Sequence, residues 1–393
     1  MAGDDSSNEA KRQPVVLQVL PALVTGGVER GAVDIAVALA EAGWGSIVVS
    51  SGGPMVREIE RAGARHITLP VQSKNPFVMW QNVDKLAALI RAHKVDIIHA
   101  RSRAPAWSAE AAAKRTGIHF VTTFHGTYTM GPLALKRAYN AVMARGERVI
   151  AISDFIARHI HQYYGIGWER VRVVHRGIDF DRFNPAQVSP ERIIQLARAW
   201  RLPDGAAVVM LPGRLTRWKG QTVLIEAMAE LRAITGRSDL RCLLVGSDQG
   251  RYEYRTELEE QARRLGLDGI VHVVGDCNDL PAAYMLTDVV ISASTDPEAF
   301  GRVIVEAQAM GRPVIATRHG GAVETILENE TGWLVPPGDP RALAQTLARV
   351  LAISPEARES LIAKAQAYAH AHFSKPAMCE ATLAVYREVL EWA

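Results

Sequence analysis

Cysteine is scarce: Cys242, Cys277 and Cys379 stand far apart among 393 residues, with no CxxC or paired Cys/His spacing. Neither a disulfide framework nor a structural zinc site is indicated, and a reducing compartment is expected. Long apolar runs are also missing. No stretch approaches the roughly 18 apolar residues of a membrane span, and the acidic start Met1-Ala2-Gly3-Asp4-Asp5 lacks the apolar segment of a signal peptide. The expected location is cytoplasmic, with peripheral contact at the cytoplasmic face of a membrane left open. Aromatic residues make up only 6% of the chain, and no aromatic-interleaved basic motif accompanies its most basic stretch, 85–148, so no nucleic-acid partner is expected.

What is present is the composition of a folded globular protein, 48% hydrophobic and 22% charged, which excludes a disordered or low-complexity chain. At about 150 residues per domain the length predicts two domains. The net charge of +3 is unevenly spread, with 23 basic and 16 acidic residues before Pro185 against 22 and 26 from it onward. Most of the excess lies in 85–148, where eleven Lys and Arg face only Asp96, Glu110 and Glu147. A solvated face is the ordinary meaning of such a run, but it also suits an acidic acceptor or an anionic membrane surface.

Short apolar runs alternate with helix-length amphipathic stretches. Val15–Leu20, Ser46–Ser50, His66–Leu69, Val95–Ala100, Phe120–Phe124 and Arg148–Ile152 read as strands, with helices between them such as Val28–Ala42, Trp80–His93 and Ala106–Thr116. The pattern restarts with strands Ala207–Leu211, Arg241–Val245, Val271–Val274, Val289–Ser292 and Pro313–Ala316, and Lys375–Trp392 reads as a terminal helix. Strands joined by helices imply parallel sheets covered on both faces, that is, doubly wound α/β domains. The expected domains are 14–180, joined by the C-terminal helix 375–393, and 205–372.

Four segments after strands carry candidate chemistry. In Asp296–Ala307, Glu298 and Glu306 are eight residues apart. On one helix they would be separated by about 12 Å, too far for a glycosidase pair but suited to gripping opposite ends of a long ligand, such as hydroxyls on either side of a diphosphate. Between them Phe300-Gly301 opens a helix whose N-terminus favours a phosphate. Leu211–Gly220 carries Arg214 and Lys219, a fork and a point charge able to clamp a diphosphate, although basic loops are common without a ligand. Gly26-Gly27 after the first strand allows close backbone approach, and a plain tight turn explains it equally well. His125-Gly126 follows another strand, where a lone histidine is more often structural, and Ser153-Asp154 reads first as a helix N-cap. Asp179-Phe180-Asp181 is formally a metal-holding DxD, but it lies in the linker, and no metal ligands are assigned.

Taken together, the glycine loop, His125-Gly126, Gly213-Arg214 with Lys219-Gly220, and Glu298-Ala299-Phe300-Gly301 through Glu306, Gly311-Arg312-Pro313, Gly320-Gly321, Glu324 and Thr331-Gly332-Trp333 resemble glycosyltransferase family 4 over nearly the whole chain. The resemblance implies a GT-B fold: two doubly wound Rossmann-like domains facing each other across a cleft, with the C-terminal helix returning to the first. It implies a retaining glycosyltransferase using a UDP-, GDP- or ADP-linked sugar as donor substrate, with no bound cofactor or metal. The acceptor expected with it is a saccharide or glycolipid, in cell-envelope polysaccharide or lipopolysaccharide synthesis. By the same resemblance Arg214 and Lys219 bind the donor diphosphate, assisted by backbone near Gly26, Gly27 and Gly301. Glu306 binds the ribose, Glu298 faces the transferred sugar with His125 at its other edge, and the loop from Gly275 meets the base. A related epimerase or other two-Rossmann enzyme, or a binding protein without catalysis, remains the alternative. Arg176 before Gly177, and Gly246-Ser247-Asp248, depart from the usual pattern. The basic region with Tyr128, Met130, Leu133 and Leu135 suggests an amphipathic surface for an anionic membrane.

Overall fold

A computed structural model describes residues 12–24, 26–128 and 134–391, without the side chains of 134 and 135. Met130 and Leu133 therefore lie outside the described residues. The chain groups into two compact units, one formed by residues up to Ala151, Ala157–Val174 and those from Cys379 on, the other by Ile152–Ile156 and His175–Met378.

In the first unit the elements alternate strictly at the start: β1 Val15–Val19, α1 Gly27–Glu41, β2 Gly45–Ser50, α2 Val56–Arg61, β3 Arg65–Thr68, α3 Pro76–Ala92, β4 Ile97–Ala100, α4 Arg103–Thr116 and β5 His119–Phe124. Then come α5 Ala134–Asn140, β6 Arg148–Ala151, α6 Asp154–Tyr164 and β7 Val171–Val173. The seven strands are all parallel, in the order β3-β2-β1-β4-β5-β6-β7. Helix α3 begins at a good stop signal for the preceding loop, since Asn75 accepts a hydrogen bond from Phe77 N and Pro76 occupies the first helical position.

The second unit repeats the plan. Its elements are α7 Pro190–Ala199, β8 Ala207–Pro212, α8 Gln221–Thr235, β9 Leu240–Val245, α9 Tyr252–Arg264, β10 Val271–Gly275, α10 Leu280–Met285, β11 Val289–Ser292, α11 Arg302–Ala309, β12 Val314–Thr317, α12 Ala322–Thr325, β13 Trp333–Val335, α13 Pro340–Leu351 and α14 Pro355–His372, followed by α15 Lys375–Glu391. The sheet order is β10-β9-β8-β11-β12-β13, again all parallel. Strands such as β8 and β11 are buried along their full length, which is why they read as unbroken apolar runs.

In each sheet the strand order reverses direction once, between β1 and β4 and between β8 and β11. Open α/β sheets bind ligands outside the carboxyl ends of the strands at such a switch point. Gly26-Gly27 follow β1, Arg214 and Lys219 follow β8 and Glu298 follows β11, all at these positions, whereas His125 follows β5 and Gly275 ends β10.

From Cys379 on, α15 belongs to the first unit. Tyr386, wholly buried, bonds His99 Nδ1 at 2.6 Å, and His99 Nε2 meets Thr123 Oγ1 at 2.7 Å. Glu388 takes Arg148 Nε at 2.8 Å and Arg172 Nε at 2.9 Å, tying the helix to β6 and β7.

Candidate functional site

The residues after β8 and β11 meet at the switch point of the second sheet. Arg217–Lys219 forms a single 3-10 turn that ends on Gly220 at φ 73°. A Cβ at Gly220 would fall on the carbonyl of Ala293, so only glycine lets this loop lie against the end of β11. The packing brings Lys219 onto Glu298, where the ammonium and the carboxylate form an ion pair, both side chains largely buried. Ser294 Oγ donates to the same Glu298 oxygen at 2.6 Å, and Lys219 Nζ lies 4.5 Å from the centre of the Trp218 ring. Arg214, in the same loop as Lys219, is exposed, and its carbonyl accepts from Gln221 Nε2 at 3.0 Å.

Glu298 lies in the loop before α11 and not on the helix, so the single-helix separation from Glu306 does not apply. The loop is held by the glycine pair behind it. Gly321 N donates to the Glu298 carbonyl at 2.7 Å, and a Cβ at Gly320, where φ is 63°, would strike Glu298 backbone. Gly301, at φ 96°, caps α11 without a side chain, and the first turn holds no acidic residue, so no side chain of this segment caps the leading N–H groups. Glu306, 5% exposed, accepts from Tyr284 Oη and from Arg302, each at 2.9 Å.

Gly213, Gly246 and Gly275 mark the ends of β8, β9 and β10. Gly213 N donates to the Val245 carbonyl at 2.8 Å and Gly246 N to the Gly275 carbonyl at 2.7 Å. Beyond Gly275, Asp279 caps α10 and pairs with Arg192 through both oxygens, at 2.6 and 2.8 Å. Those bonds from Arg192 hold the Asp279 carboxyl below its ordinary pKa.

Sequence reasoning placed Glu324 only in a motif. In the structure its carboxylate accepts from Asp154 N at 2.8 Å and also from Phe155 N, capping α6 from a distant part of the chain, while Ser153 Oγ donates to the Ala299 carbonyl at 2.6 Å and accepts from Ile156 N. Asp154, His175 and Glu324 bring one ligand atom each within 4.8 Å of one another. The positive end of α6 is directed into this group, and Glu324 is committed to it, which opposes a cation. Asp179 turns its carboxylate to Asp181 N and Arg182 N and pairs with Lys375, so the DxD serves a turn. Burial pushes the Cys242 thiol up to about 12 and raises Cys277, which makes neither a ready nucleophile.

In the first unit Gly26-Gly27 begins α1 after β1, and Glu29 folds back over it, since a Cβ at Gly26 would run into the Glu29 carboxylate. His125 follows β5 directly. Tyr128 packs on Phe124, with ring centres 5.1 Å apart, and under the Arg103 guanidinium at 4.4 Å. It thus belongs to an internal stack and not to an outward amphipathic face. Arg101 and Arg148 of the basic region are buried, and Lys114 and Arg145 share Glu110, whereas Lys85, Arg91, Lys94, Lys136 and Arg137 reach solvent.

Two doubly wound parallel sheets, one in each unit, define a two-Rossmann class of protein. Profiles described as "Glycosyltransferase Family 4" and "Glycosyl transferases group 1" match residues 25–182 and 193–368. A glycosyltransferase from Rickettsia africae is 38% identical, with a TM-score of 0.89 over 97% of this chain and 100% of that one. HepE from Anabaena, solved in complex with UDP and glucose, is 25% identical with a TM-score of 0.82, covering 95% of this chain and 100% of that one. A D-inositol 3-phosphate glycosyltransferase of Catenulispora acidiphila is 31% identical over 65% of this chain, which spans 62% of that relative's length. The chain belongs to glycosyltransferase family 4, on the GT-B fold.

Proposed function

We propose that this protein is a retaining, metal-independent glycosyltransferase that moves a sugar from a nucleoside-diphosphate sugar to a saccharide or glycolipid of the cell envelope. The observation that carries the reading is the Lys219–Glu298 ion pair beside the α11 N-terminus. Its cation and its anion suit, in turn, the diphosphate and the sugar hydroxyls of one donor, and each substitutes for the donor's charge or hydroxyls when none is bound. HepE, which shares the fold and binds UDP and glucose, supports a donor of this class.

In this mechanism the bond between the sugar's anomeric carbon and the leaving phosphate oxygen breaks. A bond from the acceptor hydroxyl forms on the same face, and the hydroxyl proton passes to the departing phosphate. The protein supplies no base. Lys219, Arg214 and the α11 N–H groups stabilise charge growing on the diphosphate, the preorganised electrostatic contribution that dominates many enzymes. Glu298 orients the sugar and Glu306 the ribose. His125 serves the sugar's other edge, and Gly26, Gly27, Phe300, Gly301 and Gly275 bring backbone close to the donor.

For the acceptor, the solvent-facing cations of 85–148 are joined by Phe77 and Trp80, 64% and 63% exposed with ring centres 6.3 Å apart, at the start of α3. Exposed aromatics on the same helix as exposed Lys85 and Arg91 suit an anionic membrane surface. No described helix is long and apolar enough to cross a membrane. Absence of binding to anionic vesicles at low salt refutes this part.

The donor reading is tested by thermal stabilisation with UDP, GDP and ADP, with Glu306→Ala as control. A ligand that binds only the native state raises the midpoint. A rise with one nucleotide that shrinks in the variant is expected; no rise with any of them overturns the donor site.

A further inference from the structure

Glu306 has two partners of unlike character. Tyr284 reaches it from α10 and is wholly buried, its ring edge-on to Phe183 at 6.1 Å, so the hydroxyl has almost no freedom. Arg302 reaches it from one turn earlier on the same helix, with its side chain a third exposed and its Nε buried without a hydrogen-bond partner. Arg302 is also the first residue of α11, and its long side chain now turned to Glu306 can swing towards the helix N-terminus.

We propose that Tyr284 is a positioning residue for the donor, fixing the Glu306 carboxylate so that its remaining lone pairs meet the ribose hydroxyls, and that Arg302 is the exchangeable partner, leaving Glu306 for the donor's phosphates. This deepens the donor-site reading and rests on it. The terminal torsion of a glutamate is broad, so a carboxylate held by one mobile arginine is not aimed. A rigid second donor removes that freedom before the ligand arrives, which reduces the ordering cost of binding. Tyr284 remains a donor throughout ordinary pH, because burial and the neighbouring Glu306 carboxylate raise its pKa well above that of a free phenol. When Arg302 moves to the diphosphate, ribose hydroxyls take its place on Glu306. Each charged group then exchanges one partner for another and none is left buried alone.

The test compares affinities of UDP, its 2′-deoxy and 3′-deoxy forms and UMP, by calorimetry, for the wild type, Tyr284→Phe and Arg302→Met; GDP or ADP and their analogues replace UDP if the thermal panel selects them. In the wild type a missing ribose hydroxyl on Glu306 is expected to weaken binding about tenfold. In Tyr284→Phe that ratio falls towards one while the ratio of UDP to UMP is retained. In Arg302→Met the ratio of UDP to UMP falls and the ribose ratio is kept. A Tyr284→Phe protein that weakens every ligand by one factor, or leaves the ribose ratio unchanged, overturns the proposal. Should that variant fail to fold, 3-fluorotyrosine at position 284 keeps the shape and strengthens the donor; an unchanged ribose ratio is then the refuting result. Failure of the donor site itself is separate, since it shows as no nucleoside diphosphate binding to the wild type.

Discussion

Lys219 and Glu298 are each other's partner, so removing one leaves the other charged and mostly buried. Lys219→Ala is expected to lower nucleoside-diphosphate affinity by about one to two orders of magnitude, the range for hydrogen bonds to charged groups, and to lower transfer further because the diphosphate loses a stabilising cation. Calorimetry and initial rates check this. Ser294 is the gentler probe. It is 1% exposed and touches only the Glu298 side of the pair, so Ser294→Ala is expected to reduce kcat/KM for donor several-fold while leaving affinity for the free nucleotide close to wild type. A parallel loss of nucleotide affinity contradicts the assignment of Glu298 to the sugar.

Among the elements, two helix starts lie in the second unit, that of α11 and the first three residues of α6, Asp154–Ile156, whose remainder belongs to the first. The α11 N-terminus is open because Gly301 has no capping side chain, whereas α6 is capped by Ser153 and Glu324. Glu324→Ala removes an acceptor from two backbone N–H groups, and caps of this kind contribute about 1 kcal/mol. A fall of about 2–4 °C in Tm is expected by calorimetry, the usual response of a domain of this size. Gly320→Ala is expected to cost more, since φ is 63° there and the new methyl meets Glu298 backbone. Its signature is joint loss of stability and of donor binding, because the same contact positions Glu298, proposed above to face the sugar.

The molecule as a whole divides into two units that use the same doubly wound plan, and α15 supplies a covering helix for the first from the far end of the chain. Deleting residues from Cys379 onward uncovers His99 and Thr123 and removes Leu383, Tyr386 and Val389 from the core; an insoluble or unfolded product is expected. The same junction is acid-sensitive. Burial, reinforced by Arg101, holds His99 well below its ordinary pKa. The unfolded chain therefore takes up a proton near pH 6.5 that the folded one refuses, so stability present above that pH is lost as pH falls. Glu388 adds a second loss lower down, because its bonds from Arg172 and Arg148 depress its pKa and its stabilisation fades as pH drops below the ordinary carboxylate range. Urea unfolding at pH 7.5 and 5.5 is expected to show a smaller difference in His99→Gln than in the wild type.

The alternation of strand and helix was legible because parallel strands covered on both faces are continuous apolar runs, as in Ala207–Pro212 and Val289–Ser292. Edge strands β7 and β13, three residues each, are too short to show any period, and α7 was hidden in a segment read as linker. The residues proposed for the site, Arg214, Lys219, Glu298, Glu306 and the glycines at the strand ends, stand out in the sequence by type and spacing. Residue order alone states which residue types follow which strands. Which of them touch depends on the packed sheet, because pairing at a switch point follows strand order. That order brings Lys219 to Glu298 across 79 residues, Tyr284 to Glu306 across 22, and Tyr386 to His99 across 287, contacts to which local periodicity is blind.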